Sequence, residues 1–163
     1  MCVVIVAITG HRKLSPADAA LVTARVEALI YDVRPAVVIF GGAVGVDTVA
    51  LAAAQHHRSY GGHTVRAHHS RLVVIVPDVV AAQPHEAREA IRLYADDVVE
   101  LRNPITSTDQ WAAYHARNRV MVDRATHVLG FWDGGHRSGA GSCISYAQRM
   151  GRVVWVETIG GER

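Results

Sequence analysis

The sequence has little cysteine and no long apolar run, and both shortages limit what the protein can be. Its 163 residues include only two cysteines, Cys2 and Cys143, with no CxxC pair. This argues against a disulfide framework and against a thiolate metal site. The apolar opening segment, residues 1–9, is too short to span a bilayer and lacks the basic start of a signal peptide. We therefore expect a soluble, cytoplasmic protein without a membrane partner.

An excess of charge of one sign is also absent. The formal net charge is only +2, which is too small to indicate a polyanionic partner by itself. Half of the residues are hydrophobic and a fifth are charged, a balance that is typical of globular proteins and excludes disorder as the main description of the chain. There is no internal repeat, linker or low-complexity segment. The length then predicts a single domain covering residues 1–163.

Short β-branched segments alternate with segments of helical pattern along the chain. The predicted strands are 3–9, 36–40, 71–77, 97–102, 126–132 and 152–158. Helices are predicted to begin at Ser15, after Gly45, at Pro84, at Ser107 or Thr108, and at Cys143, with polar loops over 56–70 and 133–142. Strands separated by helices are typical of parallel sheets. The pattern predicts an α/β, Rossmann-like, doubly wound, mainly parallel sheet with helices on both faces.

Three predicted strands end in loops that carry glycine, namely residues 9–12, 41–45 and 133–142. In open parallel sheets, ligands bind beyond the carboxyl ends of the strands. A helix N-terminus attracts anions there, and glycine lets them approach the backbone. Neither G-x-G-x-x-G nor a P-loop is present, so a purely structural turn at 41–45 stays an equal alternative.

Several side chains near these loops have two interpretations each. Asp47 could cap a helix and repel phosphate, or accept hydrogen bonds from ribose hydroxyls. Arg117 suits bidentate phosphate binding, or lies on a solvated helix face. Trp132 could stack on a base or belong to the core. The pairs His56-His57 and His68-His69 lack metal-ligand spacing, so we predict no metal site.

Three stretches, FGGAVGVDTVALAAA, RNRVMVDRATHVLGFWDG and SGAGSCISYAQRMGRVV, resemble successive motifs of the DprA/LOG-related (SLOG) superfamily, and TGHR fits its first-strand loop. The resemblance implies a Rossmann-like fold, a nucleotide-like ligand, and homo-oligomers (dimers or larger). It leaves three functions open: LOG-type hydrolysis of nucleoside monophosphates, DprA-type binding of single-stranded DNA, and binding of a nucleotide derivative without turnover.

The LOG-type activity uses an arginine, matched here by Arg117, and a glutamate whose position falls on Ser145. Because a hydroxyl cannot replace that carboxylate, hydrolysis would need Asp47 or Asp133 instead. DNA binding would use a basic track including Arg119, Arg124 and Arg137, which the weak net charge does not favour.

We therefore predict a binding module for a nucleotide or nucleotide-derived small molecule, with no other cofactor, and with Arg117 and Asp47 as catalytic residues only if it is an enzyme. The predicted ligand and phosphate contacts are Thr9, Gly10, His11, Arg12, Gly41, Gly42, Gly45, Asp47, Thr48, Arg117, Asn118, Trp132, Asp133, Ser138, Gly139, Gly141 and Ser142.

Overall fold

A computed structural model describes residues 3–60, 69–106, 108–135 and 138–160 of the chain. In this part of the chain, strands and helices alternate from beginning to end. Their order is β1 (Ile5–Gly10), α1 (Pro16–Val33), β2 (Val37–Phe40), α2 (Val46–Tyr60), β3 (Arg71–Val76), α3 (His85–Tyr94), β4 (Asp97–Glu100), α4 (Gln110–Arg124), β5 (His127–Trp132), α5 (Gly139–Arg149) and β6 (Val153–Thr158), with a short 3-10 turn at Val80–Ala82 before α3.

The strands form one parallel sheet in the order β4-β3-β2-β1-β5-β6. From β1 the chain moves outward through β2, β3 and β4, and α4 then returns it to β5 on the other side of β1. The direction of winding therefore reverses between β1 and β5, which makes their carboxyl ends the expected place for a ligand. This topology confirms the predicted doubly wound α/β fold.

Helices cover both faces of the sheet. On one face α1, α2 and α3 pack side by side, and on the other α4 packs against α5. Alternate residues of β1 serve the two cores: Val6 and Ile8 lie under α1–α3, whereas Ala7 lies under α4 and α5. All three are fully buried, as expected for a central strand of a parallel sheet.

The predicted start of α1 is confirmed in detail. Ser15 is the N-cap and its hydroxyl accepts a hydrogen bond from the Asp18 backbone N–H at 3.1 Å. The Asp18 carboxylate accepts in return from the Ser15 N–H at 3.3 Å. This reciprocal capping box, with Pro16 at the first helical position, satisfies backbone donors that a helix start otherwise leaves unpaired.

Three predicted boundaries were wrong. Helix α2 continues to Tyr60, so His56 and His57 lie on a helix and not in a loop; the alanine-rich segment before them favours helix and the histidines do not stop it. The N-cap of α4 is Asp109 rather than Thr108.

Residues His68, Ser107, Arg137 and Cys2 lie outside the described residues.

The third wrong boundary concerns the second glycine-rich loop, which was predicted to extend to Ser142. Helix α5 already begins at Gly139, with Ser138 as its N-cap; the Ser138 hydroxyl accepts from the Gly141 N–H at 3.0 Å. Glycines lower helix propensity, which misled the prediction. Packing at Gly141 is tight, because an added Cβ would lie 3.1 Å from the Trp132 indole nitrogen.

Within the described residues, the helices are too short or too polar for any of them to cross a bilayer.

Candidate functional site

A cleft of about 600 Å³ opens at the carboxyl ends of β1, β2 and β5, at the point where the winding of the sheet reverses. The loop after β1 forms one wall and α4 forms the wall opposite it. The first turn of α5 and the segment after β6 close the remaining sides. A volume of this size is within the range of small-molecule sites.

The structure brings ten of the predicted contact residues to this cleft, and they are Thr9, Gly10, His11, Arg12, Gly41, Asp47, Arg117, Asn118, Asp133 and Gly139. Three others, Trp132, Gly141 and Ser142, line a separate groove between α4 and α5. Gly42, Gly45, Thr48 and Ser138 are described residues that line neither of these two surfaces.

The inner end of the cleft is built around the buried guanidinium of Arg117. Its Nη1 donates a hydrogen bond to the carbonyl oxygen of Gly41 and lies 3.7 Å from Asp47 Oδ2. The same Asp47 oxygen accepts from the Ala43 N–H at 3.1 Å. A Cβ on Gly41 would lie 1.8 Å from Arg117 Nη1, so only glycine leaves room for the guanidinium here.

This cluster is buried and incompletely paired. Arg117 Nε, Asp47 Oδ1 and Asn118 Oδ1 have no hydrogen-bond partner among the described residues. Burial raises the pKa of the Asp47 carboxyl, and the nearby Arg117 charge offsets only part of that effect. Buried polar atoms without partners are uncommon and mark a place where a bound molecule can supply them.

The other two glycines after β2 have structural roles. Gly45 has φ +83, and a Cβ there would lie 2.5 Å from the carbonyl oxygens of both His11 and Arg12. The loop after β1 therefore packs directly on the start of α2, where the Val46 N–H donates to the His11 carbonyl at 3.0 Å. Gly42 also has positive φ, +67, and sits in the turn itself.

Aromatic and basic side chains at the outer end of the cleft were missed by the sequence analysis. The Arg12 guanidinium lies 4.3 Å from the centre of the Tyr114 ring. Trp111 is 61% exposed and stacks on His115 with ring centres 5.4 Å apart. Trp111, Tyr114 and Asn118 are three and four residues apart, so extending the helical spacing back from Asn118 would have indicated them.

Carboxylates and cations are not equally available in the cleft. Asp133 lies 3.0 Å from His11 Nε2, and a hydrogen bond from the Gly135 N–H is the main cause that lowers its pKa. The Gly160 N–H lowers the pKa of Asp18 in the same way. Arg12 and Lys13, by contrast, make no ion pair with any described residue. The uncommitted charge at the outer end is therefore positive.

The second groove, which we call the α4–α5 groove, has a volume of about 300 Å³. Ser145, the position of the LOG-type glutamate, lines this groove and not the cleft. Cys143 is buried beneath it, and burial raises the pKa of its thiol to about 11. A thiol that stays protonated at neutral pH is a poor nucleophile.

Among the described residues, no three His, Cys, Asp or Glu side chains are grouped so that they could hold a metal ion.

The topology and the cleft define a Rossmann-like domain with a cleft where its winding reverses. Comparison with protein-family models matches residues 3–160 to DNA recombination-mediator protein A. The chain belongs to this family, which confirms the DprA-related resemblance predicted from its motifs. A comparison with curated proteins returned no match.

Solved structures share the fold at low sequence identity. DNA processing protein A (DprA) from Streptococcus pneumoniae has a TM-score of 0.69 and 22% identity, over 94% of this chain and 50% of that one. DprA from Helicobacter pylori, described for its single-stranded DNA binding mode, has a TM-score of 0.65 and 22% identity, over 94% of this chain and 64% of that one. A molybdenum cofactor binding protein from Rippkaea orientalis has a TM-score of 0.66 and 18% identity, over 97% of this chain and 78% of that one. This chain thus spans less than two thirds of either DprA chain.

Proposed function

We propose that the cleft binds a nucleotide or nucleotide-derived small molecule and does not turn it over. The observation that carries this proposal is the pairing of uncommitted cations with an exposed indole at the outer end of the cleft. Arg12 and Lys13 make no ion pair among the described residues, and Trp111, which lines the same cleft, is 61% exposed. A phosphate group binds to such cations, and a nucleobase stacks on an exposed indole.

The phosphate is expected near Arg12 and Lys13 and not at the N-terminus of α2. Helix N-termini usually favour anions, but the Asp47 carboxylate in the first turn of α2 already accepts from the Ala43 N–H of the preceding loop. A phosphate at that end would be repelled by this charge, which Arg117 compensates from 3.7 Å. Arg117 and Asn118 would instead meet polar groups of the ligand deeper in the cleft.

Hydrolysis of the LOG type is not favoured by the placement of the carboxylates. Ser145 replaces the required glutamate and faces the α4–α5 groove. Asp47 is buried next to Arg117, and Asp133 is engaged by His11. Each candidate carboxylate is thus already committed to a protein partner, which supports binding without bond cleavage.

Single-stranded DNA is the second candidate ligand. The family match and the Helicobacter pylori structure bring this possibility to the chain. The specific observation for it is that Arg12 is held over the Tyr114 ring at 4.3 Å beside exposed Trp111, because bases of a strand stack on aromatic side chains next to basic ones. We also propose, from the motif resemblance, that the protein is cytoplasmic and homo-oligomeric.

The test is a thermal-shift and calorimetric titration with nucleoside mono-, di- and triphosphates, dinucleotides, and a single-stranded oligonucleotide. A ligand at a hundred times its Kd stabilises by about 2.7 kcal/mol, or about 5–10 °C in Tm for a chain of this size. The variants R12Q/K13Q and W111A should each weaken binding at least about tenfold.

Matched controls remove the same groups elsewhere. R88Q/R92Q removes two charges from α3, and Y31A removes another exposed aromatic side chain, which is 66% exposed on α1. Binding that is equally weakened in controls and cleft variants, or no binding at all, would overturn the proposal. Tight oligonucleotide binding with steep salt dependence and no mononucleotide binding would select the DNA alternative.

A further inference from the structure

The α4–α5 groove lies beside the cleft, on the other side of α4. Asn118 lines both surfaces, and the stacked pair of Trp111 and His115 continues this boundary, with Trp111 in the cleft and His115 in the groove. Arg117 and Arg119 are two residues apart, and α4 presents Arg117 to the cleft and Arg119 to the groove. The two surfaces are therefore adjacent but built from different side chains.

The groove carries two guanidinium groups and no carboxylate. Arg119 and Arg149 each lie 5.8 Å from the centre of the Tyr146 ring, one from α4 and the other from α5. Both arginines are exposed, and neither forms an ion pair with any residue that the structure describes. No acidic side chain is among the residues that line the groove. Two cations thus lie against one ring, and neither is paired with a carboxylate among the described residues.

The ring between them is fixed in place. The Tyr146 hydroxyl donates a hydrogen bond to Asp123 Oδ1 at 2.9 Å, outside the groove. This bond raises the pKa of the phenol, so the ring stays neutral at physiological pH. A fixed aromatic ring restrains both guanidinium groups by cation–π attraction and lowers the entropy cost of bringing them to one ligand.

Hydroxyl groups complete the chemistry. Ser142 and Ser145 line the groove from α5, on the same side as Arg149. Guanidinium groups match the oxygen geometry of phosphate, and hydroxyls add neutral donors to it. We propose that the α4–α5 groove is a second phosphate-binding site, which holds a phosphate monoester or diester between Arg119 and Arg149. This site does not depend on occupation of the cleft.

The test follows backbone amide signals by NMR while inorganic phosphate is added at constant ionic strength in chloride. Amides of residues 142–149 report on the groove and those of residues 10–13 report on the cleft. We expect the groove amides to shift saturably in the wild-type chain and in R88Q/R92Q. In R119Q/R149Q the apparent Kd from these amides should rise at least about tenfold, with the cleft amides unaffected.

The proposal is overturned if the groove amides do not respond to phosphate, or respond alike in R119Q/R149Q and R88Q/R92Q. A groove response without a cleft response to any nucleotide would overturn the function proposed for the cleft and support this second site. The source of the phosphate is separated by comparing thymidine monophosphate with a short oligothymidylate. If the groove and cleft amides give independent Kd values with thymidine monophosphate, the ligand of the groove is a phosphate monoester. If both sets of amides give one shared and lower Kd with the oligothymidylate, the ligand is a phosphodiester of a nucleic-acid strand.

Discussion

Replacing Gly41 by alanine should remove Arg117 from its buried position and destabilise the protein. The added Cβ would lie 1.8 Å from Arg117 Nη1 and 2.5 Å from Cζ, far inside van der Waals contact. Because the backbone at residue 41 directly follows β2, the side chain must be the part that moves. Asp47 would then be buried without its cation and Gly41 would lose the hydrogen bond to its carbonyl.

The size of the effect follows from the burial of the pair. Breaking a buried ion pair costs about 3–5 kcal/mol, and both side chains here are 9% exposed. We take the lower end, about 3 kcal/mol, since the displaced guanidinium can move into the water of the cleft. For a chain of this size that corresponds to a fall in Tm of about 6–12 °C.

Urea unfolding and thermal melting of G41A measure this cost, with G139A as the matched control. A Cβ on Gly139 meets nothing within 4 Å, so G139A should be neutral or slightly stabilising. A double-mutant cycle in an R117M background isolates the mechanism, because without the guanidinium the cost of G41A should largely disappear. A loss below about 1 kcal/mol, or a full loss that persists in R117M, would refute the reasoning.

Three further predictions concern Asp47, Ser138 and Cys143. Because burial raises the folded-state pKa of Asp47 above its unfolded value, its contribution to stability is present at low pH and is lost as pH rises through the folded pKa. The stability of D47N relative to wild type should therefore increase as pH rises above about 4, the usual pKa of an unfolded aspartate, in urea titrations, and a flat difference would contradict this. S138A removes the hydroxyl that accepts from the Gly141 N–H and should cost about 1 kcal/mol, or about 2–4 °C in Tm, whereas S145A on the exposed face of α5 should not. In a C2S background, a thiol-specific disulfide reagent at pH 8 should modify Cys143, whose thiol pKa is about 11, at least about a hundredfold more slowly in the native state than in urea; similar rates would show that the thiol is accessible.

Much of the fold could be predicted because its signals are local. The strands are continuous β-branched segments, and the start of α1 is encoded by Ser15, Pro16 and Asp18 within four positions. The end of α2 and the start of α5 could not be predicted in this way, since they depend on the surrounding structure. Gly141, in the first turn of α5, lies close to Trp132, and that contact joins residues whose approach the sequence does not show.

The site was predictable only where it follows from the ends of strands. Parallel strands bring their carboxyl ends to one edge, so the loop after β1, Gly41 and Asp133 could be expected together. Trp111 and Tyr114 could not be expected there, because the rotation of α4 about its axis decides which residues face the cleft. That rotation is fixed by the burial of Met121 and Val122 against the sheet and α5, an interaction between distant segments.

The first glycine after β2 makes room for an arginine side chain and not for a bound anion. Glycine at the end of a strand, before a helix, usually lets a phosphate approach backbone N–H groups. Here Gly41 admits the guanidinium of Arg117, and the Asp47 carboxylate accepts from the Ala43 N–H in the loop before α2. The protein thus fills its own anion position with a carboxylate and neutralises it with an arginine from α4. A buried pair of this kind contributes little net stability, but it joins α2 to α4 at the inner end of the cleft. Under the proposed function, anion binding is left to side chains at the outer end. D47N should therefore leave the proposed phosphate binding near Arg12 unchanged while loosening α4, and amide exchange along α4 would detect the change.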